Sequence, residues 1–199
     1  VGSEIGTDGM GGVQAWDLRQ PQDPARVMKQ KGGVVSEITV DYEGIFAASI
    51  FGGDPINPAG ADGSATTWDL RLGQAVGDPI EVDKGLLHVA IEPRQEIIAL
   101  GMNNGLVFVG SFRNGGEVLP PLSHPSSITA LSFSTDAKSI IVGDGDGNIY
   151  DWKLKDGKLR FPGRSHGSEM LVASTVRDTS LVIGVAKEGE VSVFDSKTG

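Results

Sequence analysis

The chain has 199 residues, of which 39% are hydrophobic and 22% charged, a balance that fits a folded globular protein and excludes a disordered one. A formal net charge of −9 makes duplex nucleic acid a poor partner, because acidic surface repels phosphate. With no cysteine there are no disulfides, no thiolate catalysis and no cysteine-held metal within these residues, which suits a cytoplasmic protein.

Twenty-nine glycines announce many turns and hence many short elements. No apolar run approaches the roughly 20 residues of a membrane span, and residues 1–10 lack the basic and apolar regions of a signal peptide. The first residue is Val1, and the expectation is that it belongs to a longer polypeptide.

In chain order, residues 1–29 hold about two strands and the pair Trp16-Asp17. Strands are expected from Val34 and Ile45, followed by a Gly- and Pro-rich loop over 50–61 that contains Ile50, Phe51, Asp54 and Ile56. Asp62-Gly63 reads as a tight turn, and Trp68-Asp69 closes the next strand. The following copy has strands from Leu86 and Glu96, the turn Asn104-Gly105, and Gly110-Ser111 where an aromatic pair is due. Then Ile128–Phe133 alternates as a half-buried strand, and 139–143 is buried on both faces. Asp146-Gly147 turns into 148–154 with Trp152, and Asp156-Gly157 into an outer strand over 158–161. The last copy starts strands at Met170 and Leu181, turns at Glu188-Gly189 and ends on Phe194-Asp195.

Two markers share one period of about 42 residues. The interval from Trp68 to Trp152 is twice that from Trp152 to Phe194, and Gly63, Gly105, Gly147 and Gly189 recur at the same single interval. The interval from Trp16 to Trp68 is longer by about ten residues, an insertion that falls in 50–61. Four antiparallel strands in a repeat of about 42 residues is the plan of a propeller blade. The expected fold is all-β: one partial propeller over 1–199, with blade pieces at approximately 1–29, 30–81, 82–122, 123–163 and 164–199. That is about four and a half four-stranded blades, as an open arc or as part of a seven-bladed ring closed by the rest of a longer chain or by a second copy.

The pattern Asp-Gly-x-x-x-x-Trp-Asp, with a first strand such as Ile-Thr-Ala-Leu-Ser-Phe-Ser, resembles the WD40 repeat family along essentially the whole chain. The resemblance implies a buried His–Ser/Thr–Asp–Trp hydrogen-bonded set. Here His124, Asp146 and Trp152 match three roles, Val142 stands in the Ser/Thr position, and no copy is complete; Trp16, Trp68 and Asp62 hold the equivalent structural places. The blades should therefore lean on apolar packing.

The resemblance also implies a non-catalytic scaffold or sensor that binds other proteins or peptides through rim loops. Ile50, Phe51, Asp54 and Ile56 would project from one rim, or fold back over their own blade. Trp-Asp-Leu-Arg occurs twice and resembles the box by which substrate receptors of cullin-type ubiquitin ligases contact their adaptor, with Arg19 and Arg71 in the contact role. Segments such as Gly116-Glu117-Val118-Leu119-Pro120-Pro121-Leu122 resemble propellers that follow NTPase modules in signalling proteins.

Catalytic signatures are missing. The three histidines are His88, His124 and His166, and the last two share one repeat position. Asp144-Gly145-Asp146-Gly147-Asn148 resembles the start of a calcium loop, but Lys155 occupies the place of the bidentate acid, so a hairpin turn is the simpler reading. The basic cluster Lys153, Lys155, Lys158 and Arg160 reads as a strand edge or a binding patch. No cofactor and no metal are expected.

Overall fold

A computed structural model describes residues 2–5, 10–17, 19–20, 22–23, 26–31, 34–52, 62–82, 85–160, 163–177 and 179–198. The described residues form no helix and fall into five antiparallel sheets in chain order. The first contains β1 (Gly2–Ile5), β2 (Met10–Ala15) and β3 (Arg26–Lys31). The second is β4 (Val35–Val40), β5 (Phe46–Gly52), β6 (Gly63–Asp69) and β7 (Gln74–Val82). The third runs β8 (Leu86–Glu92), β9 (Ile97–Met102), β10 (Leu106–Ser111) and β11 (Glu117–Ser123). The fourth has β12 (Ile128–Phe133), β13 (Ser139–Asp144) and β14 (Asn148–Lys153), and both β15 (Lys158–Leu159) and β16 (Arg164–Ser165) pair with β14. The fifth is β17 (Met170–Thr175), β18 (Leu181–Ala186) and β19 (Val191–Asp195).

Three details differ from the sequence reading. The first sheet has three strands, not about two, because Gly2–Ile5 pairs with β2 despite carrying no alternating apolar pattern. The outer strand expected over 158–161 stops at Leu159, and Arg164–Ser165 takes up the pairing further along β14; Phe161 lies outside the described residues. Gly105, Gly147 and Gly189 occupy equivalent bends with φ of 81°, 83° and 89°, conformations that suit glycine. Gly63 does not join them. It is a strand residue paired with Gly52 and Val82, since the inserted residues between β5 and β6 remove the need for a two-residue turn there.

Second strands are the centre of each sheet, and side chains alternate across them. Ala47 and Phe51 pack on Val13 and Met28 of the first sheet, while Ala48 and Ile50 pack on Leu86, Ile98 and Leu100 of the third. Ile97 and Ala99 face Ile128, Ile140 and Val142 of the fourth, whose Ile141 and Ile149 face Met170 and Val182 of the fifth. Each fully buried Ile or Leu contributes about 1.5–3 kcal/mol. The far face of the fifth sheet carries exposed Val172, Val191 and Val193.

One joint recurs. Leu86, Ile128 and Met170 open the inner strands of successive sheets, and Gly101 and Gly143 lie in the second strands that receive the latter two. A Cβ at Gly101 would sit 2.6 Å from Ile128 Cγ2, and one at Gly143 would sit 2.8 Å from Met170 Cβ. The glycines are thus holes for the next sheet's first side chain. After that first residue each inner strand has a register shift, at Val35/Glu37, Leu86/His88, Ile128/Ala130 and Met170/Val172. Gly110, which replaces the expected aromatic, is covered instead: a Cβ there would lie 2.4 Å from the ring of Phe108. Gly143→Ala should cost about 1–3 kcal/mol, because Met170 Cβ belongs to a strand and cannot swing aside. Urea unfolding of the two chains checks this.

Candidate partner-binding surface

The buried polar set is divided between two sheets. In the second, Trp68 Nε1 donates to Ser49 Oγ at 2.7 Å, and both are buried. In the fourth, Val142 takes the place of Ser49, and Trp152 Nε1 donates instead to His124 Nε2 at 2.9 Å. His124 Nδ1 in turn donates to the Gly105 carbonyl at 2.9 Å, which makes the ring the neutral tautomer protonated on Nδ1. Burial pushes the His124 pKa below its ordinary 6.5.

Asp146, matched from sequence to the acidic role, is exposed. The buried acid is Asp144, at 0% exposure. Its carboxylate accepts from the Asp146 and Asn148 amides, the Asn148 side chain and the Tyr150 hydroxyl, so it closes its own turn. Sequence spacing missed this because both aspartates precede a glycine. Burial, with Asp144 nearby, pushes the Tyr150 hydroxyl up to about 12. Of the other structural positions, Trp152 is half-buried, Asp62 is exposed at the mouth of β6, and Trp16, the residue after β2, is 47% exposed.

The rim loops also need correction. Ile50 and Phe51 are not on the rim. They are paired in β5 with Ala65 and Ser64, at 1% and 0% exposure, with the Phe51 ring edge-on to Trp68 at 5.9 Å. The strand runs on to Gly52 because alternating Ile50 and Phe51 satisfy both neighbouring sheets at once. Asp54 and Ile56 lie outside the described residues. Arg19 and Arg71 are exposed on matching turns: Asp17 Oδ1 accepts from the Arg19 amide at 3.0 Å and Asp69 Oδ1 from the Arg71 amide at 2.9 Å. The Arg19 guanidinium folds back on Asp17, with Nε 3.1 Å from Oδ1.

In an antiparallel meander the first-to-second and third-to-fourth strand turns share one rim. There the four innermost strands β4, β8, β12 and β17 open into a cavity of about 490 Å³. Its wall mixes Val40, Ile91, Leu131 and Phe133 with the hydroxyls of Ser132, Thr135 and Ser174. Tyr42, 56% exposed, stands at the mouth with two guanidiniums near its ring: Arg94 Cζ at 5.1 Å from the centroid and Arg177 Cζ at 5.6 Å. Glu92 is 3% exposed and holds Arg94 by two bonds, Nε to Oε1 at 3.0 Å and Nη2 to Oε2 at 3.2 Å. Asp41 accepts three amides of its own turn, and Glu43 accepts the Tyr42 hydroxyl, which raises the Tyr42 pKa.

Sequence reasoning passed over this cluster. Tyr42 and Arg177 hold the same turn position, each following a residue whose amide donates across the turn, Asp41 to the Phe46 carbonyl and Val176 to the Leu181 carbonyl, and Arg94 stands one residue further along its own turn; no single turn shows that the three meet.

Further out on the same rim, a polar cleft of about 580 Å³ between the fourth and fifth sheets shares Ser134 and Thr135 with the first cavity. Arg160, read from sequence as part of a basic edge, turns inward here, with Nε 3.1 Å from the buried Asp151 Oδ2. Burial pushes Asp151 up despite that partner. His88 Nδ1 lies 3.3 Å from Glu37, and His166 Nε2 3.3 Å from Ser192 Oγ. Among the described residues, no three His, Cys, Asp or Glu side chains gather to hold a metal ion.

No family profile matches the chain. It is 29% identical over 98 residues to a U3 small nucleolar RNA-associated protein 18 homolog of Arabidopsis thaliana, covering 49% of this chain and 17% of that one. It is 24% identical over 152 residues to eukaryotic translation initiation factor 3 subunit I of Drosophila willistoni, 70% of this chain and 47% of that one. Over 96 residues it is 29% identical to WD repeat-containing protein 90 of Mus musculus, 45% of this chain and 5% of that one. In fold it is similar to a chain of the mitotic checkpoint complex, with a TM-score of 0.75 at 11% identity over 96% of this chain and 58% of that one. The fold is that of a WD40-type β-propeller.

This WD40-type propeller also resembles the computationally designed Ika4 protein, with a TM-score of 0.64 at 23% identity over 83% of this chain and 92% of that one. It spans less than half the length of each of these three relatives. Its repeats are degenerate in a defined sense, since the indole donor survives twice but finds serine in one sheet and histidine in another.

Because the folded propeller holds His124 neutral, its unfolded form binds more protons once pH falls below 6.5. Stability should fall as pH drops from 6.5 toward 5. In His124→Phe that part of the slope should vanish, as urea midpoints measured across the interval will show.

Proposed function

We propose that this WD40 chain is a non-catalytic protein-interaction module whose contact face is the rim where the inner strands open. The observation that supports it most is the mixed cavity of about 490 Å³ at the mouth of β4, β8, β12 and β17, in which apolar wall and exposed Tyr42 meet a few polar groups. Binding sites for macromolecules have this make-up, an apolar interior with a small number of placed polar contacts. One relative is named a WD repeat-containing protein and another a subunit of a translation initiation factor, names that suit a component of an assembly. The opposite rim is the weaker candidate, since Ile50 and Phe51 belong to the core.

A photo-crosslinking residue at Thr135, on the cavity rim, should capture proteins in cell extract, and one at Asn104, on the opposite rim, should capture far fewer. Removing residues 53–60 should leave the Thr135 products unchanged. Products concentrated at Asn104, or lost with the deletion, would move the contact face to the other rim.

A narrower reading rests on Arg71, which is exposed on the same rim in a Trp-Asp-Leu-Arg turn. If this turn meets a cullin-ligase adaptor, Arg71→Ala should reduce adaptor pull-down more than Arg19→Ala, whose guanidinium is held by Asp17.

A further inference from the structure

Arg177 comes from the turn after β17, and its guanidinium crosses the channel mouth to the ring of Tyr42, which follows β4. Among the described residues, no carboxylate lies within ion-pair distance of Arg177. Arg94 is different: Glu92 and the Thr135 carbonyl fix it, so its place by the same ring is built in. The Tyr42 ring is therefore a seat for cations, with one permanent occupant and one held loosely. Asp41 and Glu92 line the cavity beside it and Glu43 accepts its hydroxyl, on a chain whose net charge is −9. The field at this mouth favours positive guests over negative ones.

We propose that Arg177 is an internal stand-in for a partner's cation, and that the channel mouth binds a basic peptide segment whose arginine or lysine displaces Arg177 from Tyr42. The proposal rests on the reading of this rim as the contact face and adds the chemistry of what it accepts. The partner's cation takes the π face of Tyr42, its stem lies along Val40 and Ile91, and Glu43 and Asp41 supply the opposing charge. Displacement is cheap because an exposed cation–π contact is weak; the stand-in lowers affinity by about two- to fivefold. Selectivity follows from the same geometry. A small neutral residue gives no reason for Arg177 to leave, and an acidic one meets Glu43.

The test uses the whole chain and two fluorescein-labelled peptides read by anisotropy at low salt. One carries two arginines among leucine, glycine and serine, and the other has glutamate in place of each arginine. The arginine peptide should bind and the glutamate peptide should not. Tyr42→Ala should weaken binding about tenfold or more, and Tyr42→Phe should stay within about twofold of the parent, as ring stacking needs no hydroxyl. Arg177→Ala should tighten binding by about two- to fivefold. Preference for the glutamate peptide, lost in Arg177→Ala, would overturn the proposal and make this an oxyanion site. An arginine peptide indifferent to both Tyr42→Ala and Arg177→Ala would also overturn it. If neither peptide binds while Thr135 still crosslinks proteins, the cation chemistry falls and the contact face stands.

Discussion

The fold depends on the close approach of neighbouring sheets, and that approach depends on missing side chains. Gly101 and Gly143 leave room for Ile128 and Met170, the first residues of the next inner strands. With a Cβ in either place, the second strand of one sheet and the first strand of the next would stand further apart, and the apolar groups between them would lose contact. Because β5, β9 and β13 are buried on both faces, each of the three middle sheets serves two joints at once. Stability in such an array is a sum of local terms, so a fault in one joint weakens its two sheets most.

The polar interior shows how loosely the repeat constrains its own signature. Two indoles keep a buried acceptor, Ser49 Oγ for Trp68 and His124 Nε2 for Trp152, and neither set holds all the expected members. What is preserved is satisfaction of the N–H, which would otherwise be a costly orphan. Where the aromatic is missing, at Gly110, the ring of Phe108 fills the gap from two residues away. Chemical roles persist while residue identities drift.

The repeat period, the tight-turn glycines at 105, 147 and 189 and the doubly buried second strands were legible in the sequence, because turns and alternation are local. The error at Gly63 has a local cause too: an Asp-Gly pair looks like a turn whether or not an insertion has relieved it of that duty. The choice between Asp144 and Asp146 was not legible, since it depends on which carboxylate faces Tyr150 across the strand. The cluster of Tyr42, Arg94 and Arg177 was invisible for a different reason. Its members lie on three sheets, and only closure of the inner strands around one opening brings both guanidiniums to a common ring.

The pairing of Gly52 with Gly63 closes the β5–β6 hairpin below the inserted residues, so the sheet is complete without them. Lengthening such a connection costs only a logarithm of its length. This hairpin is therefore a graft point: segments of different size and composition can be exchanged above it through evolution or engineering while the blade beneath keeps its register.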